Sequence, residues 1–202
     1  MVGKTKYIVE YFQADALAWT ARAILSLAGV EYENKFPEWP AHSPKTPFGR
    51  MPVLTEISPD GSKFVLAESC AIELYLAEKY GFLPKDIKEK ATAMQYYFQF
   101  VDIFETFGNH TFYYKTETSR ERFLDRVKTF IERHEPILEN SKSGHYCGDS
   151  LTLPDILLYF LHKSVIELDD QSLNLFATQQ TPAISKLVAM VGEYPGIKKA
   201  FL

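Results

Sequence analysis

Few side chains in this sequence could do chemistry, and most of them have a plainer use as well. Tyr11 comes near the end of the apolar run Tyr7–Phe12, so its hydroxyl is either a donor presented at a strand end or the polar tip of a residue at the edge of a core. Ser69 heads a helical stretch, where its hydroxyl and the first backbone N–H groups can cap the helix or hold a carboxylate. Pro52, within Phe48-Gly49-Arg50-Met51-Pro52-Val53-Leu54, starts a strand just ahead of a hairpin, a setting that suits a cis Met51–Pro52 bond as well as a trans proline on an edge strand. Cys70 and Cys147 stand far apart and outside any CxxC pair, which excludes a disulfide framework or a zinc site and fits a reducing compartment. His42, His110, His134, His145 and His162 have no metal-ligand spacing and read as surface or core residues, so no metal is expected.

Composition limits the partners. An apolar fraction of 46% with 24% charged residues is ordinary globular usage and excludes disorder, collagen and coiled coil. The net charge is -4, and the 22 Lys and Arg are scattered among 26 acids, so no basic stripe marks a nucleic-acid surface. No run approaches the roughly 18 apolar residues of a membrane span, and Met1–Lys6 contains no signal-peptide core. A cytoplasmic protein with no membrane association is expected, and the sequon Asn109-His110-Thr111 should then stay unmodified.

The elements that must position these side chains fall into two halves. Tyr7–Phe12 reads as a strand, Ala16–Ala28 as a helix stopped by Gly29, and Val30–Asn34 as a second strand. After a loop with Pro37, Pro40, Pro44 and Pro47, Met51–Thr55 and Lys63–Leu66 read as strands joined at Ser58-Pro59-Asp60-Gly61. A helix follows from Ser69 and ends at Gly81, which gives the order βαβ, then ββα. Beyond residues 82–86 helical spacing takes over to the C-terminus. Thr118 with Glu121 and Thr152 with Asp155 read as capping boxes, the second with Leu151 and Ile156 as a hydrophobic staple. The expected domains are 1–82 and 87–202.

Taken together, PFGRMPVL, ESCAIELYLAEKYG and GDSLTLPDI resemble the cytosolic glutathione transferases along nearly the whole chain. Tyr11-Phe12 and Glu38-Trp39-Pro40 look closest to the sigma-like, tyrosine-type group. The resemblance implies a thioredoxin-like α/β domain followed by an all-α domain, a homodimer, a detoxifying transferase reaction on small hydrophobic electrophiles or a glutathione-dependent isomerisation, and glutathione as co-substrate with no other cofactor. It implies that Tyr11 activates the thiol, that Trp39, Lys45 and Arg50 meet the glycyl carboxylate, and that the main chain of Met51, before Pro52, pairs with the cysteinyl unit. Ser69 would hold the γ-glutamyl carboxylate and Glu68 would face the ammonium. Asp102 or Glu105 would reach the partner subunit's site.

The activation step is energetically reasonable. A free thiol has a pKa near 8.5, and lowering it by about two units takes about 2.7 kcal/mol, within reach of one hydrogen bond to an anion at about 1.5–3 kcal/mol. One departure stands out: Leu17 occupies the position where this group carries an assisting arginine. A catalytically weak binding or structural dimer on the same scaffold is therefore the competing reading. A glutathione-disulfide oxidoreductase is disfavoured, because no cysteine lies at the first strand-to-helix turn.

Overall fold

The computed structural model describes residues 4–168 and 176–202. The helical spacing expected to run to the C-terminus includes residues 169–175, which lie outside the described residues, as do residues 1–3. The chain divides into two compact units, one running through Phe82 and joined by Glu193–Leu202, the other spanning Leu83–Gly192.

In the first unit the strands are β1 (Lys6–Glu10), β2 (Tyr32–Lys35), β3 (Val53–Ile57) and β4 (Lys63–Ala67), ordered β2-β1-β3-β4 in one sheet. β1 runs parallel to β2 and antiparallel to β3, and β4 pairs antiparallel with β3. A parallel pair needs a crossover, which α1 (Ala16–Leu27) supplies, while the antiparallel pair closes through a tight turn. In that turn Gly61, at φ +85°, donates to the Ser58 carbonyl, and Asp60 accepts from the Ser62 N–H and hydroxyl. α2 (Ser69–Tyr80) packs against α1 and ends at Gly81 in the left-handed conformation. This is the expected βαβ-ββα order, with strand bounds shifted by no more than two residues.

The sequence division placed the last ten residues with the helical half. Their contacts are with the first unit instead, where α7 (Pro195–Lys199) packs on α1. A Cβ at Gly196 would come within 2.7 Å of the Leu27 backbone, so only glycine permits this approach. Phe201 stacks obliquely on the fully buried Trp19 at 5.1 Å. No local periodicity announces such a long-range contact.

All the regular structure among the second unit's described residues is helical: α3 (Ile87–Gly108), α4 (Glu117–Glu139), α5 (Leu153–Leu168) and α6 (Pro182–Gly192), with a π-helical turn at Asn109–Tyr114 after α3. None of the described helices is long and apolar enough to cross a membrane. α4 starts two residues earlier than expected. Its capping box is Thr116 with Ser119, not Thr118 with Glu121, because Lys115 turns into the left-handed region and leaves Thr116 extended. The second expected box forms in a modified way. The Asp155 carboxylate accepts from both the N–H and the hydroxyl of Thr152, and also from the Tyr146 N–H. α5 packs on α3 and α6, as its apolar run suggests for a central helix. Phe104 and Phe107 pack against Phe160 and Phe123, whereas Phe112, Tyr113 and Tyr114 are exposed.

Candidate active site

Tyr11 lies one residue beyond β1, and its N–H continues the parallel pairing by donating to the Lys35 carbonyl at 3.0 Å. Its side chain is buried, 6% exposed, with the ring edge against Phe12, which in turn meets the half-buried Trp39 edge-on at 5.8 Å. The chain then turns tightly, with Ala14 N–H donating to Phe12 O and Ala16 at φ +28°, before α1 begins.

Arg22 on α1 organises this turn. Its side chain is 0% exposed, and its Nε donates to Asn34 Oδ1 at 2.9 Å while Nη1 donates to the Ala14 carbonyl at 3.0 Å and reaches Asp15 Oδ1 at 3.3 Å. Burial pulls the Arg22 pKa below the ordinary arginine value, while Asp15, Tyr32 and Tyr11 pull it back up. The sequence reading passed over this residue. A signal was present: Arg22 is a lone cation between Ala18 and Leu25, positions of one helix face that are otherwise apolar.

A cleft of about 100 Å³ opens in the same unit, lined by Leu17, Phe48, Arg50, Met51, Pro52, Ala67, Glu68 and Ser69. Five of the residues singled out in the sequence, Arg50, Met51, Pro52, Glu68 and Ser69, therefore meet at one place. The loop entering it is pinned by Ser43, whose hydroxyl donates to the Gly49 carbonyl at 3.1 Å, and Met51–Pro52 is cis, as is Trp39–Pro40. Tyr11, Trp39 and Lys45 are not among the cleft's lining. Lys45 is exposed at the end of the short 3-10 turn Ser43–Lys45. Leu17, 50% exposed, brings the Tyr11 turn to the cleft wall without a charge.

The rim of the cleft at α2 has an unusual backbone. Glu68, not Ser69, is the N-cap residue, and it takes φ +72° and ψ +117° with no side-chain bond to the helix. For a residue with a Cβ this conformation costs of order 1–3 kcal/mol. Ser69 is the first helical residue, which corrects its reading as a cap, and the first-turn N–H groups receive no side-chain acceptor from Glu68. The wall thus combines a helix N-terminus and the Arg50 cation with the exposed Glu68 carboxylate. Such a wall suits a small ligand that carries both carboxylates and an ammonium. Asp102 and Glu105 lie on α3 of the helical unit. Asp102 pairs with Arg126 at 3.2 Å, both partly exposed, and Glu105 is exposed.

Residues 9–78 match the family model described as the glutathione S-transferase N-terminal domain, and residues 101–201 match the one described as its C-terminal domain. Glutathione S-transferase 4 of Caenorhabditis elegans is 33% identical over 170 residues, covering 75% of this chain and 76% of its own. The crystal structure of monomeric Na-GST-3, a glutathione S-transferase of the hookworm Necator americanus, superposes with a TM-score of 0.79 at 30% identity, over 96% of this chain and 95% of that one. A sigma-class glutathione transferase of Fasciola hepatica shares the fold with a TM-score of 0.83 at 23% identity, over 98% and 95%.

Proposed function

This chain belongs to the glutathione S-transferase family and is a glutathione transferase; from that premise we propose that it ionises the glutathione thiol with Tyr11 and adds it to small hydrophobic electrophiles. Glutathione is the co-substrate and the family needs no other cofactor. The observation that carries the proposal is the cleft at the start of α2, next to the turn that follows Tyr11. The γ-glutamyl carboxylate sits on the open first turn at Ser69, the ammonium faces Glu68, and the main chain of Met51 ahead of Pro52 pairs with the cysteinyl unit. Arg50, with Lys45 and Trp39 farther out, takes the glycyl carboxylate. The Tyr11 hydroxyl donates to the thiolate sulfur and stabilises it without a bond forming.

We place the chain in the tyrosine-type, sigma-like group, assign glutathione binding to residues 1–82 and the electrophile side to the helical residues, and expect a cytoplasmic homodimer with a detoxifying role. Asp102 or Glu105 of the partner would complete the site. A surface pair such as Asp102–Arg126 contributes no more than about 1 kcal/mol, so it does not withhold Asp102 from that task. Because the similar hookworm enzyme is described as monomeric, light scattering at micromolar concentration is decisive: the dimer reading requires twice the 23.2 kDa chain mass.

Conjugation to a generic aryl halide tests the function. Tyr11→Phe should lower kcat/KM at pH 7 by about ten- to a hundredfold with little change in glutathione binding. Equal rates would remove Tyr11 as the activator. Leu17 supports a second reading, a weak transferase serving mainly as a binding protein. Retention on immobilised glutathione with negligible wild-type turnover would favour it.

A further inference from the structure

We propose that Arg22 is the positioning residue that fixes Tyr11 and biases the bound thiol toward its anion, a role that rests on Tyr11 being the activating group. A guanidinium buried to 0% exposure is costly unless its surroundings need it. Its hydrogen bonds lie on both sides of Tyr11. Ala14 and Asp15 belong to the turn that leaves Tyr11, and Asn34 immediately precedes Lys35, whose carbonyl takes the Tyr11 N–H. Arg22 therefore ties the strand beside Tyr11 to the turn after it and sets where the phenol points.

The charge matters as much as the clamp. The titratable groups facing Arg22 are Asp15, Tyr32 and Tyr11. Asp15 is the one acid among them; its side chain is 29% exposed and it also accepts the Leu202 N–H at 3.3 Å. Nη2 has no acceptor among the described residues. The positive charge is thus only partly compensated, and in the first turn of α1 beside it Ala16 and Leu17 supply no other cation. An anion that forms at the Tyr11 hydroxyl lies in that field, which favours it over the neutral thiol.

The test is a pH titration of the thiolate absorbance of glutathione bound to the wild type and to Arg22→Met, Arg22→Lys, Asp15→Asn and Tyr11→Phe, with a thermal melt of each. Arg22→Met should raise the bound thiol's pKa by about 1 unit, and Arg22→Lys, which keeps the charge, should recover at least half of that shift. Asp15→Asn keeps an amide oxygen for Nη1 but removes the counter-charge, so the pKa should fall. A role limited to stability would not move the two variants in opposite directions. In the Tyr11→Phe background the Asp15→Asn shift should persist, because the field acts on the sulfur itself, while the Arg22→Met shift should shrink by the part that positioning the phenol supplies. An unchanged or raised pKa in Asp15→Asn overturns the proposal even if Arg22→Met does not fold, and leaves Tyr11 as activator if Tyr11→Phe still raises the pKa. A Tyr11→Phe titration that matches wild type removes the underlying assignment, and the Arg22 role with it.

Discussion

α2 and α5 begin with the same ingredients, a hydroxyl residue and an acid, and the fold uses them in opposite ways. At α5 the Asp155 carboxylate is fully buried and accepts from the Thr152 N–H and hydroxyl and from the Tyr146 N–H, with His145 Nδ1 at 3.3 Å. Its acceptor capacity is turned inward, which fixes the entry to a central helix. At α2 the Glu68 side chain is exposed, bonds to nothing in its own helix, and sits on a backbone at φ +72°. The first start is closed by its own side chains, and the second is left open and strained at the wall of the cleft. A capping motif in sequence is therefore ambiguous until the surroundings show whether its partners are already supplied.

The largest effect should come from the closed end. Asp155→Ala strands several buried donors at once, each costing about 1–3 kcal/mol, so unfolding by denaturant should show a loss of about 3–5 kcal/mol. Glutathione affinity of the remaining folded protein should be unchanged. A loss below about 1 kcal/mol would mean that water or neighbouring groups replace the carboxylate, and the contrast between the two ends would weaken.

The next effect is a pH dependence of the same unit. His134 stacks on Phe130 and its Nδ1 lies 2.8 Å from the Tyr146 hydroxyl, and burial lowers its pKa from 6.5 to about 4. Between those values the unfolded chain binds the proton and the folded one does not. Stability is then intact above pH 6.5 and lost as pH falls, by about 3 kcal/mol at pH 4. His145 acts with the opposite sign. Asp155 raises its pKa, so its contribution is present below pH 6.5 and fades as pH rises through the folded value. Denaturant melts from pH 7 to pH 4 should show the acid-side loss in wild type and a flatter acid limb in His134→Gln; parallel limbs would exclude His134.

The smallest effect sharpens the comparison at the open end. Glu68→Gly removes the positive-φ penalty and should stabilise the protein by about 1 kcal/mol, while the lost carboxylate raises the KM for glutathione several-fold. Stability and binding should move in opposite directions. If both fall, the conformation of Glu68 serves the fold and not the ligand.

Much of this was readable in the residues. Gly29, Gly61 and Gly81 marked their turns because each adopts positive φ, and Thr152 with Asp155 marked a helix start because cap chemistry is local. The cleft residues from Arg50 to Pro52 and at Glu68 and Ser69 were legible as a group through family likeness, since no local rule brings two loops together. What stayed hidden depends on distant contacts. The seating of Gly196 on Leu27, the Arg22 clamp across Ala14 and Asn34, and the displacement of the cap from Ser69 to Glu68 each require a neighbour that periodicity does not reveal.

The most direct test of the open-end assignment is a crystal structure of the wild-type protein with glutathione bound. The γ-glutamyl carboxylate should lie within about 3 Å of the Ser69 N–H and hydroxyl, and the sulfur within about 3.5 Å of the Tyr11 hydroxyl. A carboxylate bound away from the start of α2, or a sulfur beyond hydrogen-bond reach of Tyr11, would contradict the account.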